Sequence, residues 1–140
     1  MKVTLLVVGK LRDRHYAALC DDYLARARRH LPVEIVEVDG EAALARRWPT
    51  EGDTIALEPG GASWTTERFA RDLERHMTYG ARSLTFVIGG ADGLSEALVA
   101  RATMRLSLSA LTLPHRLARL VLLEQIYRAL SIIRDEPYSR

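Results

Sequence analysis

The sequence of 140 residues is poor in several residue types, and each shortage excludes a class of protein. Cys20 is the only cysteine, so no disulfide forms within the chain, which fits a reducing compartment. The histidines His15, His30, His76 and His115 lack the spacing of metal ligands, so we expect no metal site. No apolar run approaches the roughly 18 residues of a membrane span. The amino-terminal run is too short for a signal peptide, which favours a cytoplasmic protein.

Lysine is also scarce, and the basic charge is unevenly distributed. Residues 1–100 carry 13 basic and 15 acidic side chains, whereas residues 101–140 carry seven arginines and three acidic side chains. A guanidinium group is planar and can donate two parallel hydrogen bonds to phosphate, so an arginine-rich end suits an RNA partner. The alternative is a solubilising surface without a ligand.

Strand-like and helix-like segments alternate along the chain, without an internal repeat or a long linker. Short β-branched or apolar runs predict strands, and apolar residues at helical spacing predict helices. The predicted strands cover 3–8, 33–38, 53–57, 84–88 and 105–108, and the predicted helices cover 13–30, 41–48, 65–79, 95–103 and 115–133. This alternation predicts one α/β domain over residues 1–140, with a mostly parallel sheet and helices on both faces.

Three predicted strand ends are candidate ligand sites, because ligands of parallel sheets bind beyond the carboxyl ends of the strands. They are Leu57, the Gly89-Gly90-x-x-Gly93 turn and the loop that follows Leu108. The glycine turn is neither a dinucleotide fingerprint nor a P-loop, and a tight strand-to-helix turn explains it equally well. The loop combines apolar and small hydroxyl residues in a dry setting, which suits a flat ring such as adenine. An ordinary connection into the next helix is the alternative.

The predicted helix 115–133 is apolar around most of its circumference, although a surface helix usually has one apolar stripe. This favours packing on the sheet on one side and on a partner subunit on the other, rather than complete enclosure within one chain. Glu124 and Arg128 are four residues apart and can form an ion pair. His115 is at the helix start, and Tyr138 either stacks on a base or pins the carboxyl terminus.

A longer pattern in the carboxyl-terminal half resembles the signature of the ribosomal large-subunit methyltransferase H family, a branch of the SPOUT superfamily. The matching residues are Leu106-Ser107-Leu108-Ser109-Ala110-Leu111-Thr112-Leu113-Pro114-His115, then Arg119, then Leu123-Glu124-Gln125-Ile126-Tyr127-Arg128-Ala129. A second family motif resembles Phe86-Val87-Ile88-Gly89-Gly90-Ala91-Asp92-Gly93-Leu94. The segment Val7-Val8-Gly9-Lys10-Leu11 and the Tyr138 tail also fit, so the resemblance covers essentially the whole chain.

The resemblance implies an α/β fold with a trefoil knot near the carboxyl terminus, and a homodimer whose active site lies at the subunit interface. The implied reaction is methylation of N3 of a pseudouridine in helix 69 of 23S rRNA, within the assembled ribosome. S-adenosylmethionine is the implied methyl donor, and no metal is implied. Its implied contacts are Leu57, Gly89, Leu108, Ser109, Ala110, Leu111, Thr112 and Leu113.

The imide N3–H of pseudouridine must lose its proton before or during methyl transfer, which assigns candidate roles to the remaining residues. Arg128 and Arg140 are expected to contact the developing anion or a phosphate, and neither is a base because guanidinium stays protonated. Tyr138 is expected to orient or stack the target base. His115 and Glu124 are the candidate proton acceptors.

Two departures from the family pattern keep alternatives open. The family tail usually reads Tyr-His followed by Arg or Lys, whereas this chain has Ser139 after Tyr138. The loop after Leu57 reads Gly60-Gly61, where relatives often carry Gly-Lys. The alternatives are a catalytically silent relative that binds ribosomes, a methyltransferase that acts on another RNA site, and a flavodoxin-like nucleotide-binding module.

Overall fold

Five strands and five helices alternate in the computed structural model, which describes residues 1–139, with Ser139 described by its backbone alone. The strands are β1 Lys2–Val8, β2 Val33–Val38, β3 Asp53–Ser63, β4 Ser83–Ile88 and β5 Met104–Ser107. The helices are α1 Arg14–Arg28, α2 Glu41–Arg46, α3 Thr66–Thr78, α4 Glu96–Arg101 and α5 His115–Ile133, followed by a short 3-10 helix Pro137–Ser139.

The five strands form one sheet in the order β2-β1-β4-β3-β5, and each neighbouring pair is parallel. The central strands are buried on both faces: β4 is apolar along most of its length, and Leu84 to Ile88 are all buried. Continuous apolar strands of this kind are typical of a parallel sheet covered on both sides. The predicted α/β class is therefore confirmed, and the sheet is parallel throughout the described residues.

Strand β3 is longer than the sequence predicts. The sequence places its end at Leu57, but the strand resumes after a bulge and continues to Ser63. Leu57 and Ala62 both align with Leu106 of β5, so the four residues between them project out of the ladder. Pro59 and the two glycines that follow are typical loop residues, and for that reason the predicted end was wrong. The bulge places Gly61 directly against the β5 backbone, where an added Cβ would lie 2.7 Å from Leu106 N.

The helices divide unequally between the two faces of the sheet. The larger core lies under α1, α3 and α5, where Leu5 of β1 and Phe86 of β4 are almost completely buried. The smaller core lies under the short helices α2 and α4, which contribute Leu44 and Leu98. Successive strand residues face opposite cores because side chains alternate along a strand. Only the α1–α3–α5 face is therefore covered by long helices.

Side-chain caps begin three of the helices. Asp13 accepts hydrogen bonds from two amides of α1, Thr65 accepts from Arg68 N of α3, and Ser95 accepts from Leu98 N of α4. These contacts satisfy amides that have no partner within the helix. The predicted start of the third helix at residue 65 is confirmed, with Thr65 as its capping residue.

Helix α5 ends in a tight turn that returns the tail toward the helices. Asp135 has a φ of 55°, the left-handed conformation common just beyond a helix end. Glu136 N donates to Ser131 O at 2.8 Å and Asp135 N donates to Ile132 O at 3.1 Å, which is the Schellman pattern. The chain then forms the 3-10 helix, which brings Tyr138 back onto α1 and α5.

A single chain covers much more of α5 than we predict from the apolar residues around this helix. The helix packs against both α1 and α3 over the sheet, and eight of its residues are buried. The apolar circumference is thus largely explained without a second subunit. Leu117, Leu120 and Val121 remain half-buried on the outer side, so the homodimer stays a prediction.

Candidate active site

The three predicted strand ends meet at the carboxyl edge of the parallel sheet. Gly89 follows β4 and is buried, and a Cβ there would lie 2.5 Å from the carbonyl carbon of Gly93. Gly93 has a φ of 75°, and its N–H donates to Gly90 O at 3.0 Å. Both glycines are therefore required by the close turn itself. The turn geometry explains them fully, and their contact with a cofactor stays a prediction.

The loop formed by residues 108–113 is more exposed than predicted. Its turn is held by Ser107 Oγ, which donates to Ser109 O, and by Ser109 Oγ, which accepts from Leu111 N; both distances are 2.9 Å. The side chain of Leu111 is 78% exposed, and Ala110 and Thr112 are also exposed. The dry setting expected from the apolar composition is absent in a single chain because the loop projects past the sheet edge. Leu111 is therefore accessible to a ligand or to a second chain.

A preformed side-chain cluster lies further along α5 and in the tail that follows the helix. The predicted ion pair is confirmed: Arg128 donates to Glu124 Oε2 from Nη2 at 2.7 Å and from Nε at 3.0 Å. The Tyr138 hydroxyl donates to the same oxygen at 2.8 Å, and Gln125 Nε2 donates to Glu124 Oε1 at 2.7 Å. The Arg128 guanidinium lies 5.0 Å from the centre of the Tyr138 ring. We call Glu124, Arg128 and Tyr138 the tail cluster.

The hydrogen bonds in the tail cluster determine the protonation states of Glu124 and Tyr138. Burial alone would raise the pKa of Glu124, but hydrogen bonds from Arg128, Tyr138 and Gln125 outweigh it and lower that pKa. Burial, together with the Tyr23 hydroxyl 3.2 Å away and the Glu124 carboxylate, raises the pKa of Tyr138 well above its ordinary value. Glu124 is thus an anion of low basicity and Tyr138 a neutral donor. This environment suits Glu124 for positioning its neighbours better than for accepting a proton.

His115 lies far from the tail cluster within one chain. It is the first residue of α5, and the start of this helix lies beside the start of α1, where Arg116 pairs with Asp13 at 3.7 Å. A helix rises 1.5 Å per residue, so His115 and Arg128 are about 20 Å apart along α5. The structure thus brings together Glu124, Arg128 and Tyr138 and leaves His115 near the strand-end loops. Arg140 lies outside the described residues.

Sequence reasoning assigned no role to Arg119 beyond its match to the family pattern, yet it is the most completely enclosed arginine of α5. Its side chain is 5% exposed, and it donates to Glu37 Oε2 at 2.7 Å and to Gly9 O at 3.2 Å. Burial raises the pKa of Glu37, but hydrogen bonds from Arg119 and the Leu11 amide more than offset it and lower that pKa. Arg119 thereby ties the start of α5 to β1 and β2. A buried arginine near the loops has a structural function here.

A buried carboxylate oxygen lies beside the predicted cofactor contact Leu57. Glu58 Oε1 has no hydrogen-bond partner among residues 1–139, and Arg105 Nη1, 3.6 Å away, is beyond hydrogen-bond distance. An unpaired buried acceptor costs free energy unless a ligand supplies a donor. The β3 bulge therefore offers an acceptor to a ligand with hydroxyl or amino groups. Within the described residues, no group of three or more His, Cys, Asp or Glu side chains is arranged to hold a metal ion.

Comparison with known proteins identifies the family. A family model described as "Predicted SPOUT methyltransferase" matches residues 1–139. The ribosomal RNA large subunit methyltransferase H of Sorangium cellulosum is 43% identical over 144 residues, which cover 99% of each chain. Its namesake from Listeria monocytogenes is 39% identical over 159 residues, with all of both chains covered. The chain belongs to the ribosomal RNA large-subunit methyltransferase H family. It is a SPOUT methyltransferase, as the sequence pattern predicts.

Distant solved structures share the fold of this SPOUT methyltransferase. A putative methyltransferase from Legionella pneumophila, solved with bound SAM, aligns with a TM-score of 0.57 at 14% identity, covering 92% of this chain and 66% of its own. A probable methyltransferase from Bordetella pertussis aligns with a TM-score of 0.59 at 12% identity, covering 91% of this chain and 95% of its own. The SPOUT fold is therefore shown, and the carboxyl-terminal trefoil knot comes with membership in the superfamily.

Proposed function

We propose that this enzyme transfers a methyl group from S-adenosylmethionine to N3 of a pseudouridine in helix 69 of 23S rRNA, within the assembled 70S ribosome. The observation that carries the proposal is the full-length match to relatives named for methylation of large-subunit ribosomal RNA. The particular base and atom come from the family resemblance. The arginine-rich carboxyl-terminal segment supplies the charge that a ribosomal RNA partner requires.

The carboxyl-edge loops are the proposed cofactor site, with contacts from Leu57, Gly89, Leu108, Ser109, Ala110, Leu111, Thr112 and Leu113. The residues present fit such a ligand, since the loops offer backbone groups, the exposed Leu111 and the unpaired Glu58 oxygen. A SAM-bound structural neighbour of the same fold supports this choice. Bound S-adenosylmethionine supplies an activated methyl group on its sulfonium. The chain's own contribution is to hold this group and the target nitrogen in line.

The separation of the two candidate regions supports a homodimer. Within one chain, the loops lie at the start of α5, whereas Glu124 and Arg128 of the tail cluster lie about 14 and 20 Å further along the helix. Methyl transfer requires the donor and the target atom to be in contact, so one chain alone does not complete the site. A two-fold dimer with antiparallel α5 helices would place the tail cluster of one protomer beside the loops of its partner. Leu19 on α1 and Leu117 on α5 are apolar positions left uncovered for such an interface.

The proposed chemistry rests on stabilisation of an anion rather than on a strong base. The N3–H must leave, and the Arg128 guanidinium is a fixed positive charge that stabilises the developing imide anion. Tyr138 orients or stacks on the base, and Glu124, which accepts hydrogen bonds from Arg128 and from the Tyr138 hydroxyl, holds both side chains in place. His115, at the loop end of α5, is the proposed proton acceptor. Arg140 is proposed to contact the RNA backbone.

The proposal places the enzyme in the cytoplasm with its ribosomal partner. No helix within residues 1–139 is both long and apolar enough to cross a membrane.

The test is transfer of labelled methyl from S-adenosylmethionine to 70S ribosomes that lack this modification, with the product base mapped. Labelling of the helix 69 pseudouridine is expected. Labelling elsewhere in the ribosome would point to another RNA site. Binding of S-adenosylmethionine and ribosomes without transfer would identify a silent relative, and Ser139→His would then test whether the family histidine restores activity.

A further inference from the structure

A polar cavity lies between the ends of α1 and α5, away from the carboxyl-edge loops. Its volume is about 370 Å³, and it is lined by Arg29, His30, Arg134 and Glu136. Arg29 follows the last residue of α1, and Arg134 follows the last residue of α5. Three of the four lining residues are cationic or able to become so. The sequence analysis gave none of them a role in binding.

His30 supplies the observation that indicates a ligand. Its side chain is 7% exposed, and Nε2 has no hydrogen-bond partner among residues 1–139. The nearest carboxylate oxygen, Glu136 Oε2, lies 3.6 Å away, beyond hydrogen-bond distance. A buried polar atom left unpaired typically costs about 1–3 kcal/mol, so a group that enters the cavity and meets Nε2 would be stabilising.

The lining favours an anion. Two guanidinium groups at the mouth can bind phosphate oxygens in pairs, and the imidazole nitrogen can donate a further hydrogen bond when it carries a hydrogen. The Glu136 carboxylate repels an anion, so this side chain controls how tightly the cavity binds one. Arg29 and Arg134 also compensate the negative ends of the α1 and α5 helix dipoles. Stabilisation of the helix ends is a simpler explanation for these arginines, and experiment must distinguish it from anion binding.

A short series of aromatic rings connects the cavity to the tail cluster. The His30 ring lies 6.1 Å from the Tyr127 ring, which in turn lies 4.6 Å from the Tyr138 ring. Arg26, which pairs with Asp22 at 3.2 Å, lies over the Tyr127 and Tyr138 rings at 5.7 and 6.0 Å, between the cavity and the tail cluster. An RNA strand whose base meets Tyr138 would pass this cavity with its backbone.

We propose that the cavity formed by Arg29, His30, Arg134 and Glu136 binds a backbone phosphate of the RNA substrate, adjacent to the nucleotide held by Arg128 and Tyr138. This inference rests on the proposed function for the identity of the RNA. The site positions the strand and carries no sequence information, because a phosphate is the same in every nucleotide.

The test compares a variant that loses a positive charge with a variant that loses a negative charge. Arg134→Gln removes a cation and is expected to weaken ribosome binding about fivefold and to lower the salt dependence of log Kd by about one unit. Glu136→Gln removes the opposing carboxylate and is expected to tighten binding and to steepen that dependence. Arg46→Gln, an exposed arginine of α2 on the other face of the sheet, is the matched control and should change neither.

A direct probe uses inorganic phosphate and the nitrogen resonances of His30 in labelled protein. Phosphate is expected to shift His30 Nε2 in the wild-type protein and more strongly in Glu136→Gln. If the arginines served only the helix ends, Glu136→Gln would leave phosphate binding unchanged and the proposal would be wrong. A misfolded variant cannot imitate tighter binding, so the Glu136→Gln result is decisive.

The two proposals fail in different ways. Normal methylation of helix 69 with Arg134→Gln and Glu136→Gln indistinguishable from wild type would overturn the phosphate site alone. A phosphate response at His30 with no methyl transfer by the wild-type enzyme would instead remove the proposed function and leave an anion site.

Discussion

The carboxyl-edge loops and the tail cluster are built in opposite ways. The loops are shaped by main chain: Gly89 and Gly93 approach each other too closely for a Cβ, and the apolar Leu111 is exposed. The tail cluster consists of side chains, with Glu124 hydrogen-bonded through both oxygens. One region is thus open and depends on backbone, whereas the other is preformed and depends on side-chain chemistry.

This difference indicates a division of labour between binding and chemistry. A main-chain surface can hold a flat, hydrogen-bonding cofactor with little dependence on side-chain identity, provided that no Cβ intrudes. A hydrogen-bonded cluster can hold a guanidinium where negative charge develops, without reorganisation during the reaction. Since the two regions are separated along α5, the division also predicts that two chains share each active site.

The strongest test of the shared site combines one damaged loop with one damaged tail. Homodimers of Gly89→Ala and of Arg128→Gln should each be inactive, the first through lost cofactor binding and the second through lost anion stabilisation. A heterodimer isolated with two affinity tags should regain about half of the wild-type activity, because one of its two interface sites carries no substitution. The measurement is methyl transfer to unmodified 70S ribosomes.

The control for the loop variant is Gly40→Ala, since a Cβ at Gly40 meets no atom within 4 Å and its φ of 179° is extended. This variant should bind S-adenosylmethionine normally by calorimetry. A heterodimer as inactive as both parents would show that each chain contains its own complete site.

Arg128 provides a second test, confined to the chemical step. Removing one group that stabilises developing charge typically lowers kcat by about 10²–10³-fold, and we expect this for Arg128→Gln. The affinity for S-adenosylmethionine should stay within about twofold of wild type, since Arg128 is proposed to contact the target base and not the cofactor. Single-turnover kinetics with saturating ribosomes check the rate. A comparable loss in Gln125→Glu, which keeps Arg128 but replaces a hydrogen-bond donor to Glu124 with a second carboxylate, would point to general disturbance of the tail.

Arg119 tests whether a buried arginine near the loops serves the fold. Arg119→Met leaves Glu37 and Gly9 O without their partner, and because Glu37 is partly exposed we expect a loss of about 2–3 kcal/mol in the free energy of unfolding. The Glu37 pKa is lowered by folding, so this contribution is present above the ordinary value of 4.5 and is lost as pH falls below it.

Urea denaturation at pH 7 and at pH 3.5 measures both effects, and the difference between Arg119→Met and wild type should shrink in acid. The control is Arg116→Ala, whose ion pair with Asp13 is exposed and 3.7 Å long, and it should change stability by less than about 1 kcal/mol. An equal loss in both variants would assign the effect to the helix terminus rather than to the buried pair.

Local patterns predicted most of the fold because the strands and helices here follow their intrinsic periodicities. The apolar strand at residues 84–88 and the capped helix after Thr65 both appear as expected. The end of β3 was missed because Glu58-Pro59-Gly60-Gly61 is loop-like, and only its neighbour β5 recruits Ala62 and Ser63 into the sheet. Such pairing is a tertiary effect that local sequence does not carry.

The sequence predicted some contacts of the site but not others, whereas it predicted most of the fold. The spacing of Glu124 and Arg128 predicted their ion pair, because four residues on a helix bring side chains together. The contact of Arg119 with Glu37 spans 82 residues, and the unpaired His30 nitrogen depends on how α1 and α5 end. These features arise from packing between distant segments, so no short sequence motif predicts them.

The smallest predicted effect concerns the turn that delivers the tail to its cluster. Asp135 adopts a φ of 55°, which strains a residue with a Cβ but not a glycine. Asp135→Gly should therefore raise the free energy of unfolding by about 0.5–1 kcal/mol, whereas Asp135→Val should lower it, since β-branched residues tolerate this conformation least. Thermal denaturation measures both changes. Because the turn holds Tyr138 against Glu124, Asp135→Val should also reduce methyl transfer, while S-adenosylmethionine binding stays normal because the turn supplies none of the proposed cofactor contacts. Reduced cofactor binding in Asp135→Val would mean that the tail also supports the cofactor site.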